Sequence, residues 1–278
     1  MKVLSTVSAA RRFRSGAKGR VVLVPTMGAL HEGHAALIRR ARRIAGRDGI
    51  VIVSIFVNPS QFGPKEDLSR YPRPFAGDRK LCCQVGADAI FHPGARAMYS
   101  ADFSTWVGET SVARGLCGVS RPGHFRGVCT VVLKLFTILQ PDSAVFGLKD
   151  YQQCRVIARM VRDLNLPVRL VFAPTVRERD GLALSSRNVF LSPEERAEAP
   201  SIRRALLTAR AAFHQGRRGA EDLRKIVQRH LSPMARVDYI SVVNGSSLEP
   251  VPTASRGDTI AIAAFFGRTR LIDNIQLR

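Results

Sequence analysis

The 278-residue chain has 45% hydrophobic and 23% charged residues, a balance that is typical of globular proteins and excludes wholesale disorder. Its longest apolar stretch, Val128 to Leu139, is interrupted by Lys134 and is too short to cross a bilayer. The first twenty residues lack the apolar segment and cleavage site of a secretory signal, and the five cysteines follow no disulfide or metal-binding spacing. These features predict a cytoplasmic protein with reduced thiols and no membrane partner.

The formal net charge of +21 raises the possibility of nucleic-acid binding, because clustered Lys and Arg neutralise phosphates. The basic residues are scattered, however, and aromatic residues do not alternate with them as they do in a base-stacking surface. A phosphate-rich small ligand is enough to account for them. Nucleic-acid binding stays as an alternative but is not the expected function.

Residues 21–172 alternate between short β-branched runs and segments with apolar residues at helical spacing. The predicted elements in chain order are strand Val21–Pro25, helix His34–Ala45, strand Ile50–Val57, helix Gly77–Gly86, strand Ala87–His92, helix Gly127–Leu139, strand Ala144–Phe146, helix Tyr151–Leu164 and strand Val168–Phe172. This alternation predicts an α/β domain, a doubly wound parallel sheet covered by helices on both faces, over residues 1–175.

The pattern changes from about Val176. Ser192 is a good N-cap for a long helical region, and two strands are predicted at Val237–Val243 and Thr259–Phe265. Residues 176–278 are therefore predicted to form a smaller α+β domain.

The segment from Pro25 to His34 lies between the first predicted strand and the first predicted helix. In a doubly wound sheet, ligands bind at the carboxyl ends of the strands, so this loop is in a suitable place. His31 and His34 are three residues apart and can face one point above the helix N-terminus, where backbone N–H groups favour an anion. A metal site is not expected, because Glu32 would point elsewhere and no third ligand is close in sequence.

Two common nucleotide fingerprints are absent from the chain. No Gly-x-Gly-x-x-Gly follows the first predicted strand, and no Gly-x-x-x-x-Gly-Lys-Ser/Thr occurs anywhere. A dinucleotide-dependent dehydrogenase therefore lacks its main signature, and so does a P-loop enzyme.

Polar residues follow two further predicted strands. Asn58 and Gln61 come after the strand that starts at Ile50, and their neutral amides can orient a carboxylate or hydroxyl. Lys149 follows the strand at Ala144–Phe146 and can reach phosphates, while Asp150 can either bind ribose hydroxyls or cap the next helix.

A fourth segment runs from Asp180 to Asn188. Ser185 and Ser186 stand beside Arg187 on a loop that begins with glycine, a combination that can clamp a phosphate. A solvated surface loop is the alternative interpretation of the same residues.

These four segments, in this order and at these separations, resemble the pantothenate synthetase family. So do Asp67–Arg73, Ser120–Gly127 and Arg270–Asn274. The resemblance covers nearly the whole chain and implies a Rossmann-like N-terminal domain, a smaller C-terminal lid domain and a homodimer. The implied reaction joins (R)-pantoate to β-alanine with ATP and Mg²⁺, through pantoyl adenylate, and releases pyrophosphate and AMP.

The resemblance also implies site residues by position. His34 is implied as the proton donor, with His31 and Lys149 on the phosphates. The implied ATP-binding residues are Met27, Gly28, Ala29, Leu30, His31, Glu32, Gly33, His34, Gly147, Leu148, Lys149, Asp150, Val176, Leu184, Ser185, Ser186 and Arg187. The implied substrate-binding residues are Gln61 and Gln153 for pantoate, with Asn58 and Tyr71 near the site. Magnesium is expected on phosphates and water, with no protein ligand.

Three positions depart from the family pattern. Leu148 stands where Glu is frequent, Cys117 stands where Glu is frequent, and Gly77 lies in a usually acidic run that keeps only Asp78. The missing carboxylates predict a less ordered loop over the site and a modest catalytic rate.

The nearest alternative is a nucleotidylyltransferase that transfers a nucleotide to a phosphate-bearing acceptor. Such an enzyme shares the His-x-Gly-His but has no need of Gln61 and Gln153. Dependence of the reaction on pantoate distinguishes the two.

Overall fold

The computed structural model describes residues 1–64 and 66–278, and this part of the chain forms two compact units. The first unit contains residues 1–109, 121–148 and 156–174, and the second contains residues 110–120, 149–155 and 175–278. No helix formed by the described residues is long and apolar enough to cross a membrane. None of the five cysteines takes part in a disulfide within that same part of the chain.

The first unit is built on a parallel sheet that has six strands among the described residues, in the order β1-β4-β3-β2-β5-β6. The strands are β1 (Lys2–Leu4), β2 (Val21–Thr26), β3 (Ile50–Ile55), β4 (Ala89–Phe91), β5 (Ser143–Gly147) and β6 (Arg169–Ala173). The helices up to β6 are α1 (Val7–Ser15), α2 (Glu32–Ala45), α3 (Phe75–Gln84), α4 (Ala95–Met98), α5 (Cys117–Ser120), α6 (His124–Leu139) and α7 (Tyr151–Asp163). Of these, α5 and the first turn of α7 belong to the second unit.

The central strands are buried on both faces, which explains their unbroken β-branched sequences. Residues 21–24 of β2 are fully buried, and β2 pairs in register with β3 from Val21↔Ile50 to Thr26↔Ile55. Helix α2 covers the sheet with Ala35, Ile38 and Ala41, which recur at intervals of three. Burying Ile38 completely contributes roughly 1.5–3 kcal/mol relative to an exposed position.

The order in which the chain adds strands to the sheet changes side between β2 and β5. From β2 the chain proceeds to β3 and β4 on one side, and β5 and β6 lie on the other side. In open α/β sheets, the crevice at such a reversal, beyond the carboxyl ends of the strands, is where ligands bind. The loop that follows Thr26 and the turn that follows Gly147 are at this position.

The second unit is built on an antiparallel sheet with three strands among the described residues, in the order β7-β8-β9. The strands are β7 (Ala235–Val243), β8 (Thr259–Phe266) and β9 (Thr269–Gln276), and the helices are α8 (Pro193–Glu198), α9 (Ser201–His214) and α10 (Ala220–His230). Leu206, Phe213, Leu223, Ile260 and Phe266 are among the residues that form its apolar core.

The predicted fold class is confirmed: a doubly wound parallel sheet with a separate small α+β unit. Each predicted strand is present within two residues of its expected ends, as for β7, which starts at Ala235 rather than Val237. The strand from Ile50 ends at Ile55 rather than Val57, because Pro59 opens a 3₁₀ turn that Asn58 caps. The helix expected at Gly77–Gly86 instead covers Phe75–Gln84.

Several elements were not predicted, and one prediction was too coarse. Strand β1 has only three residues. Helix α1 contains several arginines, so its few apolar residues give a weak helical pattern in the sequence. Strand β9, Thr269–Gln276, alternates buried and partly buried residues and was also not predicted. The long helical region after Ser192 is in fact three helices, since Pro200 begins a new turn and Gly216, at φ 94°, ends α9.

Candidate functional site

The loop after β2 has an unusual backbone that a single carboxylate holds in place. Gly28 and Ala29 both have positive φ, at 84° and 51°. A Cβ on Gly28 would lie 3.0 Å from Asp78 Oδ2, so glycine suits this position. Asp78 accepts hydrogen bonds from the Ala29 N–H at 2.9 Å and the Leu30 N–H at 2.7 Å. The carboxylate therefore offsets the cost of the left-handed residues.

Asp78 is itself 3% exposed and lies on α3. Its burial raises the pKa of the carboxyl, and the two backbone N–H donors oppose that shift. Asp78 is thus the one carboxylate left in a segment that is usually acidic in the family. Both of its oxygens bond the backbone of the loop after β2.

The two histidines cap α2 reciprocally. His31 is the N-cap residue, and its Nδ1 accepts the Gly33 N–H at 3.1 Å. His34 Nδ1 accepts the His31 N–H at 3.3 Å, and the two ring centroids are 4.2 Å apart. A ring nitrogen that accepts an N–H bond carries no proton, so the proton of each neutral ring is on Nε2. The hydrogen-bond donor of each neutral ring is therefore its Nε2–H.

Gln61 is buried beside this loop. Its Oε1 accepts from Asn58 Nδ2 at 3.1 Å, and its Nε2 is 2.9 Å from Met27 Sδ. Asn58 is 1% exposed and also caps the 3₁₀ turn that ends at Gln61. The structure therefore joins Met27, Asn58 and Gln61 directly. Tyr71 is buried and packs edge-on against Phe62, with ring centroids 6.0 Å apart.

Gly147 and Leu148 stand where β5 ends. Gly147 is the last residue of β5, and a Cβ there would be 3.9 Å from the Leu37 side chain of α2. Leu148 begins a 3₁₀ turn and is half-buried. These two residues therefore lie next to the helix that carries the histidines.

In the second unit, Lys149 and Asp150 complete that turn. Lys149 Nζ is 3.9 Å from Asp150 Oδ2, and the Lys149 carbonyl accepts from Asn274 Nδ2 at 3.1 Å. Gln153 follows on α7 and is half-buried. Its neighbour Gln152 has a different role, since it bonds the backbone of residues 112, 115 and 117. Asn274 thus anchors the Lys149 backbone, and the Lys149 ammonium lies beside the Asp150 carboxylate.

Val176 and Leu184 pair with each other, the Leu184 N–H donating to the Val176 carbonyl at 3.1 Å. The following turn holds the serines and the arginine. The Arg187 N–H donates to Ser185 Oγ at 3.3 Å, and the Asn188 N–H donates to the Ser185 carbonyl at 3.0 Å. Ser186 is half-buried within this turn. The predicted phosphate clamp is thus a structured turn.

Sequence reasoning missed several residues that shape the site. Asp78 was noted only as a remaining acid, and its bonds to the Ala29 and Leu30 N–H groups were not predicted. Arg177 forms a two-point ion pair with Asp273, at 2.7 and 2.9 Å, and Asp273 is 4% exposed. Cys117 was noted only as a departure from the family pattern. In the structure its Sγ lies 3.3 Å from the Tyr239 hydroxyl, a contact that was not predicted.

No group of three or more His, Cys, Asp or Glu side chains with metal-binding geometry occurs among the described residues. Asp78 has both oxygens engaged by backbone N–H groups. A cage for a divalent cation made only of protein side chains does not fit this arrangement.

Residues 2–276 match the model of the pantoate-beta-alanine ligase family. A pantothenate synthetase of Thermotoga petrophila is 50% identical over 99% of both chains. The crystal structure of pantothenate synthetase from Thermus thermophilus superposes with a TM-score of 0.93 and 46% identity, over 100% of this chain and 99% of that one.

A second solved structure is relevant to ligands. The pantoate-beta-alanine ligase from Francisella tularensis, complexed with beta-gamma ATP and beta-alanine, has a TM-score of 0.83 and 31% identity over 100% of this chain and 98% of that one. The nucleotidylyltransferase and nucleic-acid alternatives are not favoured by these matches. With a family model spanning almost its whole length and relatives at about half identity, this chain belongs to the pantoate–β-alanine ligase family.

Proposed function

We propose that the chain condenses (R)-pantoate with β-alanine in two steps at one site, through pantoyl adenylate. The observation that carries this proposal is the capped histidine pair, whose rings have their donor on Nε2 and stand at the N-terminus of α2, at the reversal point of the sheet. A triphosphate binds well where backbone dipoles and neutral donors converge. Family membership supplies the identity of the two acids.

In the first step, a pantoate carboxylate attacks the α-phosphate of ATP and pyrophosphate leaves. We assign His31 and His34 to the phosphates as hydrogen-bond donors, with His34 on the departing pyrophosphate. Both rings donate without first becoming charged, because their Nδ1 atoms serve as caps. Lys149 neutralises charge between two anions that otherwise repel each other.

The remaining nucleotide contacts are assigned by position. Met27, Gly28, Ala29, Leu30, Glu32 and Gly33 line the phosphate side, and Gly147, Leu148 and Asp150 meet the ribose. The Leu184 N–H already donates to the Val176 carbonyl. We therefore assign adenine to the other two backbone groups, the Val176 N–H and the Leu184 carbonyl. Ser185, Ser186 and Arg187 are assigned to the phosphates as well.

We assign pantoate to Gln61 and Gln153, with Asn58 orienting Gln61. A neutral amide holds hydroxyl and carboxylate groups without titrating near neutral pH. Tyr71 is placed at the border of this pocket. In the second step the β-alanine amine attacks the acyl carbon of pantoyl adenylate, the bond from that carbon to the phosphate oxygen breaks, AMP leaves, and the amine gives up a proton to solvent as the amide forms. This step needs a positioned amine and exclusion of water but no enzyme nucleophile.

Magnesium is assigned to the phosphates of ATP. The described residues do not fit a protein-only site, and no step here depends on a protein ligand to the ion. Its chemical contribution would be to neutralise phosphate charge.

Three further assignments complete the proposal. Residues 1–175 act as the ATP- and pantoate-binding domain and residues 176–278 as the lid. The protein works as a homodimer in the cytoplasm. Support for a dimer comes from an aromatic cluster of Tyr99, Phe103 and Trp106, in which Trp106 is 40% exposed. Light scattering that finds a monomer at all concentrations contradicts the dimer.

Exchange of labelled pyrophosphate into ATP tests the first step directly. Label is expected in ATP only when pantoate is present, and AMP is expected to accumulate only when β-alanine is added as well. Exchange without pantoate indicates a nucleotidylyltransferase instead. Absence of exchange, together with tight and salt-sensitive RNA or DNA binding, supports a nucleic-acid-binding protein.

A further inference from the structure

The Gln61 backbone is held from outside the predicted substrate pocket. Its carbonyl accepts a hydrogen bond from His124 Nδ1 at 2.8 Å and a longer one from Arg121 Nη2 at 3.3 Å. His124 is 8% exposed and opens α6. The segment that contains Arg121 and His124 matched the family pattern, but neither residue has a place in the function proposed above.

The tautomer of His124 follows from its second partner. Arg121 Nη1 lies 3.0 Å from His124 Nε2, and a guanidinium has only donors. Nε2 must therefore accept, which puts the ring proton on Nδ1, facing the Gln61 carbonyl. Arg121 is fixed in turn by Glu66, whose carboxylate accepts from Nε at 3.0 Å and from Nη2 at 2.5 Å. The acid, the guanidinium and the ring form one relay of hydrogen bonds that ends on Gln61.

The same turn is pinned at two other points. Asn58 Nδ2 donates both to Gln61 Oε1 and to the Gly127 carbonyl, each at 3.1 Å. A Cβ on Gly127 would lie only 2.4 Å from the Ser60 carbonyl oxygen, so α6 approaches the turn as closely as glycine allows. The position of the Gln61 amide thus depends on contacts made by the start of α6.

We propose that His124 is a positioning residue for pantoate binding, acting through the Gln61 carbonyl. The inference rests on the assignment of Gln61 to pantoate. A carbonyl held by Nδ1–H fixes the backbone rotation of Gln61, and the Asn58 contact then fixes its amide. A small displacement of such a group weakens substrate binding without altering the phosphate side of the site.

Two substitutions separate the ring nitrogens. In His124→Asn the side-chain amide nitrogen takes the place of Nδ1 and can still donate to Gln61. In His124→Gln the amide instead takes the place of Nε2, so the bond to Gln61 is lost. The KM for pantoate is expected to rise about tenfold in H124Q and H124A but less than about threefold in H124N, with the KM for ATP and kcat within about threefold of wild type.

An equal rise in all three variants indicates a loss of packing and overturns the proposal. So does an unchanged KM for pantoate in H124A. If H124Q unfolds, the comparison of H124N with H124A carries the test, because only the asparagine amide can still donate to the Gln61 carbonyl; a rise of about tenfold in H124A against less than about threefold in H124N is expected. His230→Ala is the matched control, because that ring also bonds a carbonyl through Nδ1, at 2.8 Å, within α10.

The failure of this inference is distinguishable from failure of the proposed function. Wild-type protein without pantoate-dependent exchange contradicts the function itself. Wild-type protein with normal exchange, together with H124Q that binds pantoate normally, contradicts only the role of His124. Thermal unfolding of each variant shows whether the comparison is between folded proteins.

Discussion

Replacing Asp78 with asparagine tests how the loop on the phosphate side is held. The carboxylate accepts from the Ala29 and Leu30 N–H groups, and Ala29 is in the left-handed region at φ 51°. Asparagine keeps one acceptor oxygen and points an N–H₂ at the second backbone donor. One charge-assisted hydrogen bond is lost and a donor faces a donor, while the shape of the side chain is unchanged.

The expected magnitudes differ for activity and for stability. A hydrogen bond to a charged group is worth about 1.5–3 kcal/mol, so a loop that binds ATP only when ordered should lose about 10- to 150-fold in kcat/KM for ATP. The free energy of unfolding should change by less than about 1 kcal/mol. Burial raises the pKa of Asp78 in the folded protein above its value in the unfolded chain. At pH values above that unfolded pKa, keeping the carboxylate ionised therefore lowers stability, and asparagine removes this cost.

Pyrophosphate exchange at varied ATP, with saturating pantoate, measures the first quantity, and thermal unfolding measures the second. Asp163→Asn is the control, since that exposed carboxylate pairs only locally with Arg162 at 2.7 Å. A wild-type KM for ATP in Asp78→Asn would show that the carboxylate does not hold the loop. A loss of more than about 3 kcal/mol in stability would show that its role is global.

Three other outcomes are expected. Lys149→Ala should lower exchange by about 100-fold or more with an unchanged unfolding midpoint. His34→Ala should lower exchange as much but should also lower the midpoint, because the His34 ring accepts the His31 N–H at the start of α2; near-normal exchange in either variant contradicts its assignment. Gly127→Ala should cost about 1–3 kcal/mol in a denaturant titration, because its Cβ meets the Ser60 carbonyl, whereas Gly77→Ala should gain about 0.5–1 kcal/mol, because nothing lies within 4 Å; equal effects refute this reasoning. Burial alone would raise the pKa of Glu66, but its hydrogen bonds and ion pair with Arg121 outweigh that effect and lower it. The ionised carboxylate therefore stabilises the fold at pH values above its pKa in the unfolded chain, and this contribution is lost as the pH falls through its pKa in the folded protein. The advantage of wild type over Glu66→Gln in melting temperature should therefore shrink below about pH 4, and a constant difference contradicts it.

The fold could be predicted because buried parallel strands leave a simple signal. Val21–Val24 and Ile50–Ile55 are continuous β-branched runs, and the intervening helix has apolar residues on one side. Such patterns reflect burial, which is a property of the segment itself. Strand β1 could not be found in this way, because three residues have too little periodicity to be recognised.

The residues of the site could be predicted in part. His31 and His34 were identifiable because a loop between a buried strand and a helix has a known place in the fold. Asp78 and His124 were not, since their importance arises from partners 48 and 63 positions away in sequence. Long-range hydrogen bonds of this kind have no local pattern, and only the packing of α3 and α6 brings the partners together.

The assignment of Gln152 and Gln153 illustrates the same limit. Adjacent glutamines on a helix point in different directions, but the sequence does not say which one is structural. In the fold Gln152 is 6% exposed and bonds three backbone groups of residues 110–120, which leaves Gln153 for a ligand. Family resemblance selected Gln153, and its contact with pantoate stays a prediction.

The reciprocal caps of His31 and His34 constrain how this enzyme can be altered. Each ring uses its Nδ1 to cap the N-terminus of α2, and the proposed function gives its Nε2 to a phosphate. Under that proposal, a substitution at either position affects both the helix end and nucleotide binding. Asparagine or serine at His31 would preserve the cap and lose the second donor, whereas alanine loses both. The loss of activity on alanine substitution would therefore combine two effects, the loss of a phosphate contact and the loss of the N-terminal cap of α2. Under the proposed assignment of adenine, a change of nucleotide preference is better attempted at Val176 and Leu184, whose hydrogen bond to each other uses backbone atoms.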